Sequence, residues 1–149
     1  GRFWMIVPDL NVLIYAFHSS SPGHAAARSR LEGALAQRET VAILNVVATD
    51  FLRIMTNARF FSEPLEPNQA MTAIKAVLSA PNAVLVRVGE STWSIFEELV
   101  ELHKLRAHDI PDAWVAATVM SEEATLLSDD TGFGRFRELQ WVTLADLVE

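Results

Sequence analysis

Four aspartates stand where they could do chemistry together: Asp9, Asp50, Asp112 and Asp130. Asp9 follows the short apolar run Phe3–Val7 and Pro8, and Asp130 follows the apolar run that ends at Leu127. Asp50 and Asp112 fall inside segments with helical patterning. Carboxylates from distant parts of a chain repel one another if they converge, unless a cation or a proton lies between them. Hard oxygen donors of this kind suit Mg²⁺ or Mn²⁺. A cation so held polarises a phosphoryl oxygen, lowers the pKa of a bound water and orients its attack. The chemistry on offer is therefore metal-assisted phosphoryl transfer, on condition that the four groups meet.

Each aspartate also has a plainer reading. Asp9 is a common residue type for a turn or a helix N-cap. Asp50 could be a surface residue paired with Arg53 one turn on. Asp112 could be the N3 partner of an N-cap at Asp109, both favoured by the helix dipole. Asp130 lies in Asp129-Asp130-Thr131-Gly132, a run of turn residues. Asp112 fits its plain reading least well. The residues after it, Ala113–Met120, are almost wholly apolar. A helix apolar all round is usually buried, so its first turn should sit at the edge of the core.

The elements that must position these groups follow from patterning. Strands are expected over Phe3–Val7, Val41–Leu44, Ala83–Val88, Thr125–Leu127 and Gln140–Thr143. Helices are expected over Leu10–Phe17, His24–Arg38, from an N-cap at Asn45 to about Asn57, Asn68–Ser79, Ser91–His103 and Asp109–Glu123, with a short one at the C-terminus. Strands alternating with helices predict a mainly parallel sheet of four to five strands with helices on both faces. In such open sheets, ligands collect at the carboxyl ends of the strands, where Asp9 and Asp130 fall.

Composition sets the outer limits. The chain has 149 residues, half of them hydrophobic, enough for one domain with a substantial core. Twelve basic and 19 acidic residues leave a net charge of −7, the reverse of the usual balance in a nucleic-acid binder. Clustering of acids around a cation would offset part of that charge. No cysteine is present, which excludes disulfides and thiolate metal sites and is compatible with a cytoplasmic location. No apolar run approaches the roughly 20 residues of a membrane span. His18, His24, His103 and His108 form no spaced ligand set, which argues against zinc. Met5 reads as a natural initiator, with residues 1–4 as an artificial extension. The basic residues expected near the acids are Arg53, Arg59, Lys104, Arg106, Arg135 and Arg137. Arg53 is the first choice for a phosphate contact, one turn from Asp50. Trp93, Trp114 and Trp141 are expected in the core or at a dimer interface.

The order and context of the acids resemble the PIN domain and, within it, the VapC toxins of bacterial toxin–antitoxin pairs. Val7-Pro8-Asp9-Leu10-Asn11-Val12-Leu13 resembles the family's first motif. Val46-Val47-Ala48-Thr49-Asp50-Phe51-Leu52-Arg53 resembles the second, with Asp50 where the family usually has Glu. Asp112-Ala113-Trp114-Val115-Ala116-Ala117 and Ser128-Asp129-Asp130-Thr131-Gly132-Phe133 resemble the third and fourth. Gly132 stands where many members carry a further Asp. The resemblance runs from about Met5 to Glu149 and implies one PIN domain over residues 1–149, a three-layer α/β/α sandwich. It implies a metal-dependent endoribonuclease with Asp9, Asp50, Asp112 and Asp130 as metal-holding and catalytic residues. Asn11 would brace the first carboxylate, and Ser128 would orient a ligand or water. An RNA substrate, a cognate antitoxin and a homodimer are implied in the same way. Two rival readings are a PIN-like domain that binds RNA or protein without cleaving, and a haloacid-dehalogenase-type phosphatase. The latter resembles this chain less: it requires a second Asp at the position of Asn11 and a Lys between Lys104 and Asp130, where none occurs.

Overall fold

A computed structural model describes residues 5–37 and 39–146. Five strands form one sheet: β1 (Met5–Pro8), β2 (Thr40–Leu44), β3 (Ala83–Val86), β4 (Thr125–Leu127) and β5 (Trp141–Val142). Their order is β3-β2-β1-β4-β5, and every neighbouring pair is parallel. Six helices complete the fold: α1 (Leu10–Phe17), α2 (His24–Leu35), α3 (Asn45–Met55), α4 (Pro67–Leu78), α5 (Glu90–His103) and α6 (Asp109–Ser121). The architecture is a PIN-like α/β/α sandwich.

The crossovers from β1 through β4 each contain at least one α-helix, which carries the chain back to start the next parallel strand, and β4 reaches β5 through a loop with one 3-10 turn. The centre of the sheet is dry on both faces. Val41, Ala42 and Ile43 of β2, Val7 of β1 and Leu126 of β4 are fully buried. This matches the continuous apolar runs expected of parallel strands covered on both sides. Each such side chain contributes roughly 1.5–3 kcal/mol by leaving water. The edge strand β3 differs, with Val84 and Leu85 exposed at 41% and 46%. Helix α6 is the most enclosed helix: Ala113, Val115, Ala116, Ala117, Thr118 and Val119 are all buried. It lies between α5 and β4, which fixes the direction of its first turn.

Several local expectations are corrected by the structure. Asn45 is not an N-cap but the first residue of α3, with Leu44 as the cap residue and no side-chain cap bond. Asp109 is likewise the first helical residue of α6, after His108, so Asp112 is one position past N3. Helix α2 ends at Leu35; Arg38 lies outside the described residues. The segment after Asp130 is a 3-10 turn, Thr131–Arg135. At the C-terminus, Thr143–Asp146 closes as a turn, with the Thr143 backbone N–H donating to Asp146 Oδ2 at 2.7 Å. Helix formation beyond it would fall outside the described residues.

Candidate functional site

The sheet order contains a switch. From β1 the chain winds outward through β2 to β3, then crosses back to β4 on the other side of β1. The loops leaving β1 and β4 therefore part at their carboxyl ends and leave a crevice. Asp9 is the residue after β1, and Ser128 is the residue after β4. Helix α3 leaves the end of β2 at the same side of the sheet, and the first turn of α6 faces it.

The four aspartates named from sequence share one cavity of about 320 Å³, walled by Asp9, Asn11, Asp50, Asp112 and Asp130 together with Trp114 and other apolar side chains. Asp129, the neighbour of Asp130, turns away and accepts a hydrogen bond from the Leu144 backbone N–H at 2.8 Å. A larger depression of about 660 Å³ lies elsewhere, against Ile95, Leu99, Leu102 and Met120. It carries none of the four aspartates, so convergence of chemistry rather than size singles out the smaller cavity.

Asp9 is 8% exposed and is held by a relay of short polar contacts. The fully buried Ser128 hydroxyl donates to Asp9 Oδ2 at 2.8 Å. Ser128 Oγ in turn accepts from Asn11 Nδ2 at 3.3 Å and from the Asp130 backbone N–H at 3.1 Å. Asn11 thus braces Asp9 through Ser128 rather than by touching it. Ser128, whose proton is committed to Asp9, orients a carboxylate rather than a free water. Sequence reasoning missed Trp141 as part of this relay: its Nε1 donates to the Ser128 carbonyl at 2.8 Å. The apolar reading of tryptophan hid the polar handle.

The helix-borne acids are held differently. Asp50 sits 3.3 Å from Arg53 Nη2, with both side chains well exposed. Its plain reading as a surface ion pair and its place in the cavity wall are both true of this structure. Asp112 Oδ2 lies 3.5 Å from Arg135 Nη2, whose other acidic neighbour, Asp109 Oδ1, is 3.7 Å away. Arg135 stacks over the Phe136 ring at 4.8 Å. Arg135 and Arg53 thus each contact one acid of the cavity wall without lining the cavity themselves. Asp130 Oδ1 accepts the Gly132 backbone N–H at 2.9 Å, which caps the 3-10 turn. A Cβ on Gly132 would stand 3.1 Å from that oxygen, so a side chain here would crowd Asp130.

Trp114 lines the cavity rather than lying within the core. It packs edge-on against Phe96 and Trp93, and Trp93 is 55% exposed.

Burial and mutual repulsion govern the electrostatics. Desolvation pushes the Asp9 carboxyl above the usual carboxylate range; the Ser128 hydroxyl and the Leu10 backbone N–H oppose this, and Asp130 and Asp50 add to it. Asp112 is also pushed up, first by desolvation and then by Asp130, with Arg135 opposing. Among the described residues, no three His or acidic side chains stand in a closed ligand arrangement. The four carboxylates line one cavity, and like charges that share a cavity raise one another's cost of ionisation. As donors they fit a hard divalent cation: all offer carboxylate oxygens, and both upward shifts are of the kind that a nearby positive charge relieves.

Comparison with known proteins is consistent with this arrangement. The PIN domain family model matches residues 6–139. The chain is 39% identical over 137 residues to a VapC ribonuclease of Mycobacterium bovis, covering 92% of this chain and 93% of that protein. Ribonuclease VapC37 of Mycobacterium tuberculosis is 32% identical over 137 residues, covering 92% and 95%. Among solved structures, VapBC2 from Rickettsia felis bound to a promoter DNA fragment superposes with a TM-score of 0.71 at 18% identity, covering 93% of this chain and 98% of that one. VapC20 of Mycobacterium tuberculosis, a sarcin–ricin loop cleaving toxin, gives 0.67 at 16% identity, covering 91% and 97%. These two likenesses concern the fold. With the family model spanning most of its length and relatives this similar over nearly all of theirs, the chain belongs to the PIN-domain family, in its VapC branch.

Proposed function

We propose that the chain is a metal-dependent endoribonuclease toxin of a toxin–antitoxin pair, with Asp9, Asp50, Asp112 and Asp130 holding Mg²⁺ or Mn²⁺. The observation that carries this reading is that acids from β1, α3, α6 and the loop after β4 wall one cavity. The membership of relatives named as VapC ribonucleases supports RNA as substrate. A bound divalent cation supplies charge neutralisation for a phosphoryl oxygen and a lowered pKa for water.

The protein's own residues have separable tasks. Ser128 and Asn11 keep Asp9 in one orientation, so its carboxylate is ordered before any ligand arrives. Asp130 is fixed through one oxygen by Gly132. Asp50 is one methylene shorter than the usual Glu and is shared with Arg53, so it acts from the rim, reaching the cation directly or through a water. Arg53 takes an RNA phosphate, a contact that supplies affinity without sequence choice. Residues 1–149 act as one domain, in the cytoplasm, as a homodimer controlled by an antitoxin. The VapBC complexes among the structural neighbours support the last point. No described helix is long and apolar enough to cross a membrane. The phosphatase reading loses ground because Asn11 spends its amide on Ser128 instead of presenting a second acid.

The test is cleavage of a structured RNA in Mg²⁺, Mn²⁺ and EDTA by wild type and Asp9→Asn. Wild type should cleave only with metal, and the substitution should cost at least about a hundredfold, the scale of losing one catalytic group. Equal cleavage by the substituted protein would overturn the assignment of the site. Metal-dependent RNA binding without cleavage would favour the non-cleaving rival.

A further inference from the structure

Among the described residues, Arg135 contacts both acids in the first turn of α6 and still has donors left over. Its Nε and Nη2 are buried and make no hydrogen bond among the described residues. The contacts to Asp112 and Asp109, at 3.5 and 3.7 Å, are Coulombic and too poorly placed to satisfy those N–H groups. The plane of the guanidinium is nevertheless fixed, by Phe136 beneath it and by its position at the end of the 3-10 turn that starts beside Asp130. A buried donor without an acceptor is costly to maintain. A fixed, charged fork with unused donors beside a carboxylate is suited to an anion that presents two oxygens at once.

We infer that Arg135 is a phosphate-gripping residue of the RNA site, held in reserve by Asp112 and Asp109 when no RNA is present. This rests on the ribonuclease reading and adds a role for a residue outside the four aspartates. Arg135 and a divalent cation both seek the charge of Asp112, so each weakens the other's hold on it. Once Asp112 is neutralised from the cavity side, the guanidinium is the buried group left without full compensation. With its hold on Asp112 and Asp109 loosened, the guanidinium turns its buried donors outward, where an RNA phosphate supplies both the missing charge and the missing acceptors. The same contact gives an acidic chain of net charge −7 a positive group at the point where the backbone must approach.

The experiment uses Arg135→Gln and Arg135→Lys in the full chain, with thermal unfolding to confirm that each folds. Mn²⁺ binding to the free protein is followed by the loss of the free-ion electron paramagnetic resonance signal. Arg135→Gln should bind Mn²⁺ about tenfold more tightly, the lower end of what one opposite charge does to a carboxylate's affinity for a proton. RNA binding is then measured against salt in Ca²⁺, chosen to replace Mg²⁺ without supporting cleavage. Arg135→Gln should lower the steepness of log K against log salt by about 0.7–1, the loss of one phosphate contact. Arg135→Lys should keep both the wild-type Mn²⁺ affinity and the wild-type salt slope, and lose part of the cleavage rate because its point charge lacks the fork.

Unchanged Mn²⁺ affinity and unchanged salt slope in Arg135→Gln, with wild-type cleavage still metal-dependent, would overturn the role of Arg135 alone. A lower melting temperature with no change in either readout would have the same consequence. Wild-type cleavage that survives EDTA would instead overturn the reading of the metal site.

Discussion

The two strand-borne aspartates and the two helix-borne ones solve the same electrostatic problem by different means. Asp9 and Asp130 are held by hydrogen bonds from a buried hydroxyl and from backbone N–H groups. Asp50 and Asp112 are held by arginines at 3.3 and 3.5 Å. Asp9 is buried at the end of a central strand, so its hydrogen bonds can be made once and kept, and Asp130, though exposed, is tied down by the local turn bond from Gly132. Asp50 and Asp112 are half-buried on helices and rest on ion pairs, which adjust but contribute little. The strand side is therefore the fixed half of the site, and the helix side is the half that can rearrange when charge arrives.

That contrast can be broken experimentally. The largest effect beyond loss of Asp9 itself should come from Ser128→Ala, which removes the only side-chain donor to Asp9 among the described residues and leaves the Asn11 amide and the Asp130 N–H without their shared acceptor. Cleavage should fall by about tenfold or more, and stability by roughly 1–3 kcal/mol for buried groups left unpaired. Asp50→Glu should do little harm to either, because the longer carboxylate keeps its charge and gains reach. Comparable losses from both changes, measured by cleavage rate and chemical denaturation, would abolish the distinction between a fixed and an adjustable half.

A smaller effect concerns pH. The folded-state pKa values of Asp9 and Asp112 are raised, so the folded protein holds protons that the unfolded chain has already lost. Stability without metal should therefore fall as pH rises from the unfolded carboxylate value, near 4, through the raised folded values. Millimolar Mg²⁺ should flatten that decline and raise the melting temperature, since it binds the folded state. Melting curves across pH, with and without Mg²⁺, check the sign. An apo protein that gains stability with pH over this window would mean that the two carboxyls are not charge-strained. Asp9→Asn should lose the same pH dependence in part, even as it abolishes cleavage.

The smallest effect should come from Arg53→Ala. The Arg53 side chain is 61% exposed, so its removal should leave the melting temperature almost unchanged. Cleavage should weaken mainly through KM and with a shallower salt dependence, as loss of one phosphate contact requires. If the drop lies in kcat, Arg53 is acting through Asp50 and the helix side is less adjustable than its exposure implies.

Much of this was legible in the order of residues. Apolar runs such as Val41–Leu44 and Ala113–Met120 define buried elements by themselves, because few alternatives can hide them. Asp9, Asp112 and Asp130 were legible because each lies next to the end of such an element, and Asp50 because it sits beside an apolar helical stripe. Helix caps were less so: Asn45 and Asp109 have the composition of caps but sit one residue inside their helices, since strand ends and tertiary packing set where each helix begins. Asp50, Arg135 and the tryptophans show the limit most clearly. Sequence spacing puts Arg53 beside Asp50, and the pair forms, yet spacing says nothing of Asp50 facing Asp112 across 62 positions of chain. Trp141 reads as an apolar residue and Arg135 only as one of six basic residues near the acids, because their partners Ser128 and Asp112 come from other elements.

The sequence alone determined the alternation of strands and helices and the presence of acids beside those elements, because period and apolarity are local properties. Only the tertiary structure decided that β4 returns beside β1, and thereby which oxygens meet which donors. That choice depends on how buried layers cover one another across the whole chain, a sum of contacts that no short stretch of residues contains.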